Sequence, residues 1–92
     1  MLFPLGRVVA TPGALDALAG AGRTPTEFLA RHAAGDWGDV GREDAAENVL
    51  SLARGFRLFS VYRYDPADPT AKVWIITEAE GSSTCVLLPS EY

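Results

Sequence analysis

The side chains best suited to chemistry cluster in one stretch, His32-Ala-Ala-Gly-Asp-Trp-Gly-Asp39, which holds the only histidine and one of the two tryptophans. An imidazole titrates near neutrality, and a carboxylate beside it fixes its tautomer. With Asp36 and Glu78, His32 would form an acid–base group for a small nuclease or other hydrolase, with Arg57 or Arg63 balancing phosphate charge. With Asp36, Asp39 and Glu78 it would suit a divalent metal. Against both stands an architectural reading, in which His32 ends a helix near the negative end of its dipole and packs under Trp37. Motif content favours architecture. The chain has no HExxH, no CxxC pair and no Gly-rich phosphate loop. No serine, Ser60, Ser82 and Ser83 included, sits in a nucleophile elbow. The sequence therefore assigns no catalytic residue, no metal ligand and no cofactor, and keeps His32, Asp36 and Glu78 as the alternative catalytic set.

The elements that must position this stretch are legible from spacing. Residues 2–10 read as a short strand with an irregular start, because Pro4 removes a donor. Thr11-Pro12 opens a helix, with Thr as N-cap and Pro at the first helical position. Gly20 and Gly22 stop it. Thr24-Pro-Thr-Glu27 has the pattern of a capping box and starts a second helix that runs to Gly35, with Phe28 and His32 on one face. Arg42 to Ala53 reads as a third helix, capped by Asp39 or Gly41, with Ala46, Val49, Leu50 and Ala53 as its inward stripe. Gly55 suits its C-terminal stop.

From Phe56 the period becomes two. Phe56, Leu58, Ser60, Tyr62 and Tyr64 share one face, and Arg57, Phe59, Val61 and Arg63 the other. Turn clusters at 65–70 and 81–83 separate this strand from strands at 71–80 and 84–88, which predicts two hairpins. The expected fold is one α+β domain over residues 1–92. It has two or three short helices on one face of a three- to four-stranded antiparallel sheet with a C-terminal meander.

Ninety-two residues with 12 acidic and 8 basic side chains give a net charge of -4. That balance disfavours nucleic acid, whose affinity comes from Lys and Arg neutralising phosphates, and suits a basic or nucleic-acid-handling protein partner. Cys85 is alone and sits among strand residues, which predicts a buried, unreactive thiol and a cytoplasmic setting. No apolar run approaches a membrane span.

Two features suit a partner. Trp37, in a Gly-rich turn, is either core or anchor, whereas Trp74 is expected in the core. Glu43, Asp44 and Glu47 form an acidic helical patch. The expected partner-binding set is Asp36, Trp37, Asp39, Glu43, Asp44 and Glu47. An aromatic RNA-binding face is disfavoured, since alternation separates Tyr62 and Tyr64 from Arg57 and Arg63. A homodimer through an open sheet edge or face remains open.

With these residues laid out, the chain resembles a family of small bacterial proteins described only as plasmid-related or hypothetical. The likeness rests on residues 5–15 (Leu-Gly-Arg-Val-Val-Ala-Thr-Pro-Gly-Ala-Leu), on His32 with Gly35-Asp-Trp-Gly38, and on Gly55-Phe-Arg57. Trp74-Ile-Ile-Thr-Glu78, Ser83-Thr84 and the Leu-Pro-Ser-Glu-Tyr ending extend it along nearly the whole chain. Where members carry an Asp-Arg pair after Thr-Glu-Ala, this chain has Glu80-Gly81. The resemblance implies carriage on mobile elements and no common activity. The expected function is a non-enzymatic, small acidic interaction protein that binds a protein partner, as an anti-defence inhibitor or accessory factor.

Overall fold

Thr11 begins the helical part as its residue type predicts. Its hydroxyl accepts the amide N–H of Ala14 at 3.1 Å, with Pro12 at the first helical position. The computed structural model describes residues 1–92. In it β1 (Arg7–Ala10) is followed by α1 (Pro12–Gly20), α2 (Pro25–Ala33), α3 (Arg42–Arg54), β2 (Leu58–Arg63), β3 (Lys72–Thr77) and β4 (Ser83–Leu87). The four strands form one sheet in the order β1-β4-β3-β2.

The predicted meander is present, with β2–β3 and β3–β4 antiparallel. The sheet as a whole is mixed and not antiparallel, because β1 runs parallel to β4, Val8 beside Thr84 and Ala10 beside Val86. Hairpins dictate the direction of the three meander strands. No turn joins β1 to its neighbour, so its direction is set by long-range contacts that spacing does not encode.

The inner sheet face carries Leu58, Ser60, Tyr62, Val73, Ile75, Thr77, Thr84 and Val86. Ala14 and Leu18 of α1 and Phe28 of α2 pack on it to form the core. Phe28 and Tyr62 stack with centroids 5.3 Å apart. Burying each such aromatic is worth roughly 1.5–3 kcal/mol. α1 and α2 therefore lie on one face, as expected. The other face has no helix over it. There Phe59, Trp74 and Ile76 sit with the C-terminal Tyr92, whose ring is 5.6 Å from that of Trp74. Trp74 is thus half-buried on the outer face and not in the core between helices and sheet, and Cys85, opposite Ile76 on the same face, is half-buried too. Burial raises the Cys85 thiol above its usual value.

Two helix details differ from expectation. The capping box at α2 does not form, since Thr24 makes no side-chain cap bond and Glu27 instead accepts from Arg23 Nε at 2.5 Å. A charged donor outcompetes a backbone amide for the carboxylate. The larger difference is in α3, whose bounds are as predicted to within one residue but whose facing is reversed. Its buried residues are Asn48 and Ser51, whereas Val49 is 64% and Leu50 42% exposed.

The reason lies at the β2 edge. Alternate residues of an edge strand point their backbone groups away from the sheet. Phe59 is one of these. Its N–H donates to Asn48 Oδ1 at 3.0 Å and its carbonyl accepts from Asn48 Nδ2 at 2.6 Å. Two part-buried backbone groups satisfied by one buried amide outweigh the burial of two aliphatic side chains on a helix already set at the sheet margin. No helix is long and apolar enough to cross a membrane.

Candidate functional site

The 32–39 stretch is a strap that completes the same edge. Val61, the next outward-facing residue of β2, donates its N–H to the Trp37 carbonyl at 3.1 Å and accepts from the Asp39 N–H at 2.6 Å. Gly38 is the bridging residue, at φ 70°, and a Cβ there would lie 2.0 Å from the Val61 carbonyl oxygen. Only glycine fits so close an approach in that conformation.

Asp36 shapes the turn. One carboxylate oxygen accepts the Gly38 N–H at 3.1 Å, and the other accepts from Arg31 Nε at 2.7 Å. Arg31 holds the Asp36 carboxyl below its usual range, and its guanidinium lies 4.6 Å over the Tyr62 ring. The Asp36 carbonyl accepts the Tyr62 hydroxyl at 2.5 Å, and burial pushes that phenol up to about 12. Asp39 pairs with Lys72 at 3.7 Å. The two aspartates are thus occupied within the chain.

His32 is fully buried. Nδ1 is 2.5 Å from Ser60 Oγ, and Nε2 is 2.9 Å from Thr77 Oγ1. Thr77 Oγ1 lies 2.8 Å from Thr84 Oγ1, which donates to the Leu5 carbonyl at 2.7 Å. Phe3 and Trp37 meet the imidazole edge-on, with centroids 5.2 and 5.8 Å away, and stack on each other at 6.1 Å. Trp37 is therefore a half-buried cover over the histidine. The row Ser60–His32–Thr77–Thr84–Leu5 ties α2 to β2, β3, β4 and the N-terminal lead-in, and no buried side-chain polar atom is left without a partner.

These contacts limit the chemistry. Burial lowers the His32 pKa to about 4, so the ring is neutral at pH 7 with both nitrogens engaged. Neither Asp36 nor Glu78 is among its partners. Glu78 is exposed and pairs with Arg57 at 3.4 Å, beside the outer sheet face. The structure does not bring His32, Asp36 and Glu78 together. It does bring a serine to the histidine, but Ser60 is fully buried and the far nitrogen meets a threonine where a nucleophilic triad uses a carboxylate. No group of three His, Cys, Asp or Glu side chains is placed to hold a metal.

The buried role of Ser60, Thr77 and Thr84 as partners of His32 escaped the sequence reading, although a signal was present. Alternation puts them on the same face as Leu58, Tyr62 and Val73, and polar groups at inward positions need partners. The other partner-binding candidates are free. Glu43, Asp44 and Glu47 are exposed on α3 and make no ion pair. Glu43 and Glu47 adjoin the solvent-facing stripe Ala46, Val49, Leu50 and Ala53, which was expected to face inward, whereas Asp44 lies on the opposite side of α3, in line with Asn48 and Ser51. Comparison with family models, curated proteins and solved structures returns no match.

Proposed function

We propose that this chain is a non-enzymatic interaction protein that docks a protein partner through the outer face of α3. Its setting in this proposal is a mobile genetic element, where it serves as an accessory or anti-defence factor. The observation that carries the reading is the apolar stripe Ala46, Val49, Leu50 and Ala53, spaced i, i+3, i+4 and i+7 and turned to solvent. Such spacing ordinarily marks the buried face of a helix. Contiguous exposed apolar surface rimmed by charge marks interaction sites. The docking set narrows to Glu43, Glu47, Val49 and Leu50, and Asp44, on the opposite side of α3, falls outside it. Asp36, Trp37 and Asp39 support the strap instead. Hydrolysis by His32, Asp36 and Glu78 draws no support from the geometry.

A photo-crosslinking side chain at Val49, and another at Arg63 on the outer sheet face as control, tests this in producing cells. Adducts are expected from position 49, lost on Leu50→Arg, and absent from position 63. Equal adducts from both positions, or none from 49, would overturn the reading.

A further inference from the structure

We infer that the occupant of the α3 face is a second copy of this chain, with the two α3 helices packed antiparallel about a two-fold axis. This inference rests on the docking reading above and names its partner. The argument is charge self-complementarity.

At 100° per residue, Glu43, Glu47 and Arg54 fall on one flank of the apolar stripe, and Arg42 lies in line with the stripe, one turn before Ala46. All four side chains are exposed, and neither Arg54 nor either glutamate has an ion-pair partner within the chain. In an antiparallel helix pair each flank meets the same flank of its partner, run in the opposite direction. The Glu43–Glu47 end of one copy then faces Arg54 of the other, and symmetry makes the contact twice. A parallel pair sets each flank against the opposite flank of its partner, which separates Glu43 and Glu47 from Arg54 and forgoes these contacts.

The stripe suits close approach. Ala46 and Ala53 leave space at either end, and Val49 and Leu50 supply the bulk near the axis. α3 has 13 residues, about 20 Å of helix, which places the contact at the small end of specific interfaces. A reversible, weak dimer is the expected form.

Sedimentation equilibrium of the purified chain, from micromolar to about 0.5 mM, tests this. The mass is expected to rise from 9.8 kDa toward twice that value. Leu50→Arg should stay monomeric throughout. Glu47→Arg alone and Arg54→Glu alone should each weaken association about tenfold, the size of two exposed charge pairs turned repulsive. The double variant, which restores opposite charges across the axis, should recover it. Circular dichroism controls for folding, and the exposed positions leave the core untouched.

A wild-type chain monomeric at 0.5 mM overturns the second copy. If crosslinks from position 49 to another protein persist, the docking reading survives that failure. A dimer indifferent to Leu50→Arg, or no recovery in the double variant, also overturns the inference. Loss of all crosslinks from position 49 removes the docking reading with it.

Discussion

The Thr84 hydroxyl gives its one proton to the Leu5 carbonyl, and this single contact orients every proton in the buried polar row. Thr84 can then only accept from Thr77. Thr77, its proton spent, can only accept from His32 Nε2–H. The imidazole is left as the Nε2–H tautomer, with Nδ1 accepting from Ser60. A backbone carbonyl near the N-terminus thus fixes the protonation of a histidine on α2.

One consequence is a pH signature. The folded pKa of His32 is lowered from 6.5 to about 4, so between those values the unfolded chain binds a proton that the folded chain does not. Its stabilising contribution is complete above about pH 6.5 and is lost progressively as pH falls toward 4, by roughly 3 kcal/mol in all. The lowered carboxyls of Asp36, Asp68 and Glu91 act lower down, as pH drops through and below about 4. Urea denaturation at half-unit pH steps should show the histidine slope, and His32→Gln should abolish it. A flat profile from pH 6.5 to 4.5 would contradict the sealed neutral imidazole.

The reversed facing of α3 makes a sharp contrast between neighbours. Asn48→Leu strips the Phe59 N–H and carbonyl of their partner and should cost about 1–3 kcal/mol, despite adding apolar bulk. Val49→Ala, one residue on, should change stability by no more than about 0.5 kcal/mol. Hydrogen exchange should quicken at the Phe59 amide in the first variant alone. The opposite ranking would mean that Val49 faces the core.

Gly38→Ala tests the strap. Its Cβ would collide with the Val61 carbonyl, in a backbone conformation unfavourable to L side chains. A loss of at least about 2 kcal/mol is expected, with exchange of the Val61 and Asp39 amides accelerated first. Gly22→Ala is the useful comparison, because Gly22 shares the positive φ but has open space around it. Equal losses would show that conformation alone, not contact with β2, makes Gly38 necessary.

What the sequence made legible was local. Thr11-Pro12, Gly35 and Gly55 start and stop helices through bonds within a turn or two. The alternation in 56–64 and 71–80 needs only the pleat to be read. What it hid was decided between distant segments. The direction of β1 follows from its seat beside β4. The facing of α3 follows from the Asn48 amide meeting Phe59. The meaning of His32 follows from Ser60, Thr77 and Thr84, which lie 28 or more residues away. In the opening stretch, rare residue types suggested a reactive centre. The glycines, the aspartate turn and the covering tryptophan are what a strap on a strand edge requires.

That strap also decides how copies of the sheet can misassociate. Exposed edges are templates for strand addition and fibril growth. At β2 the template is spent over most of its length, because Val61 is paired with the strap and Phe59 with Asn48, which leaves only the terminal Arg63. The remaining edge is β1, four residues long and bracketed by Pro4 and Pro12. A stacked fibre needs two open edges on every copy, and this fold offers one short one, so edge-to-edge growth stops at a pair.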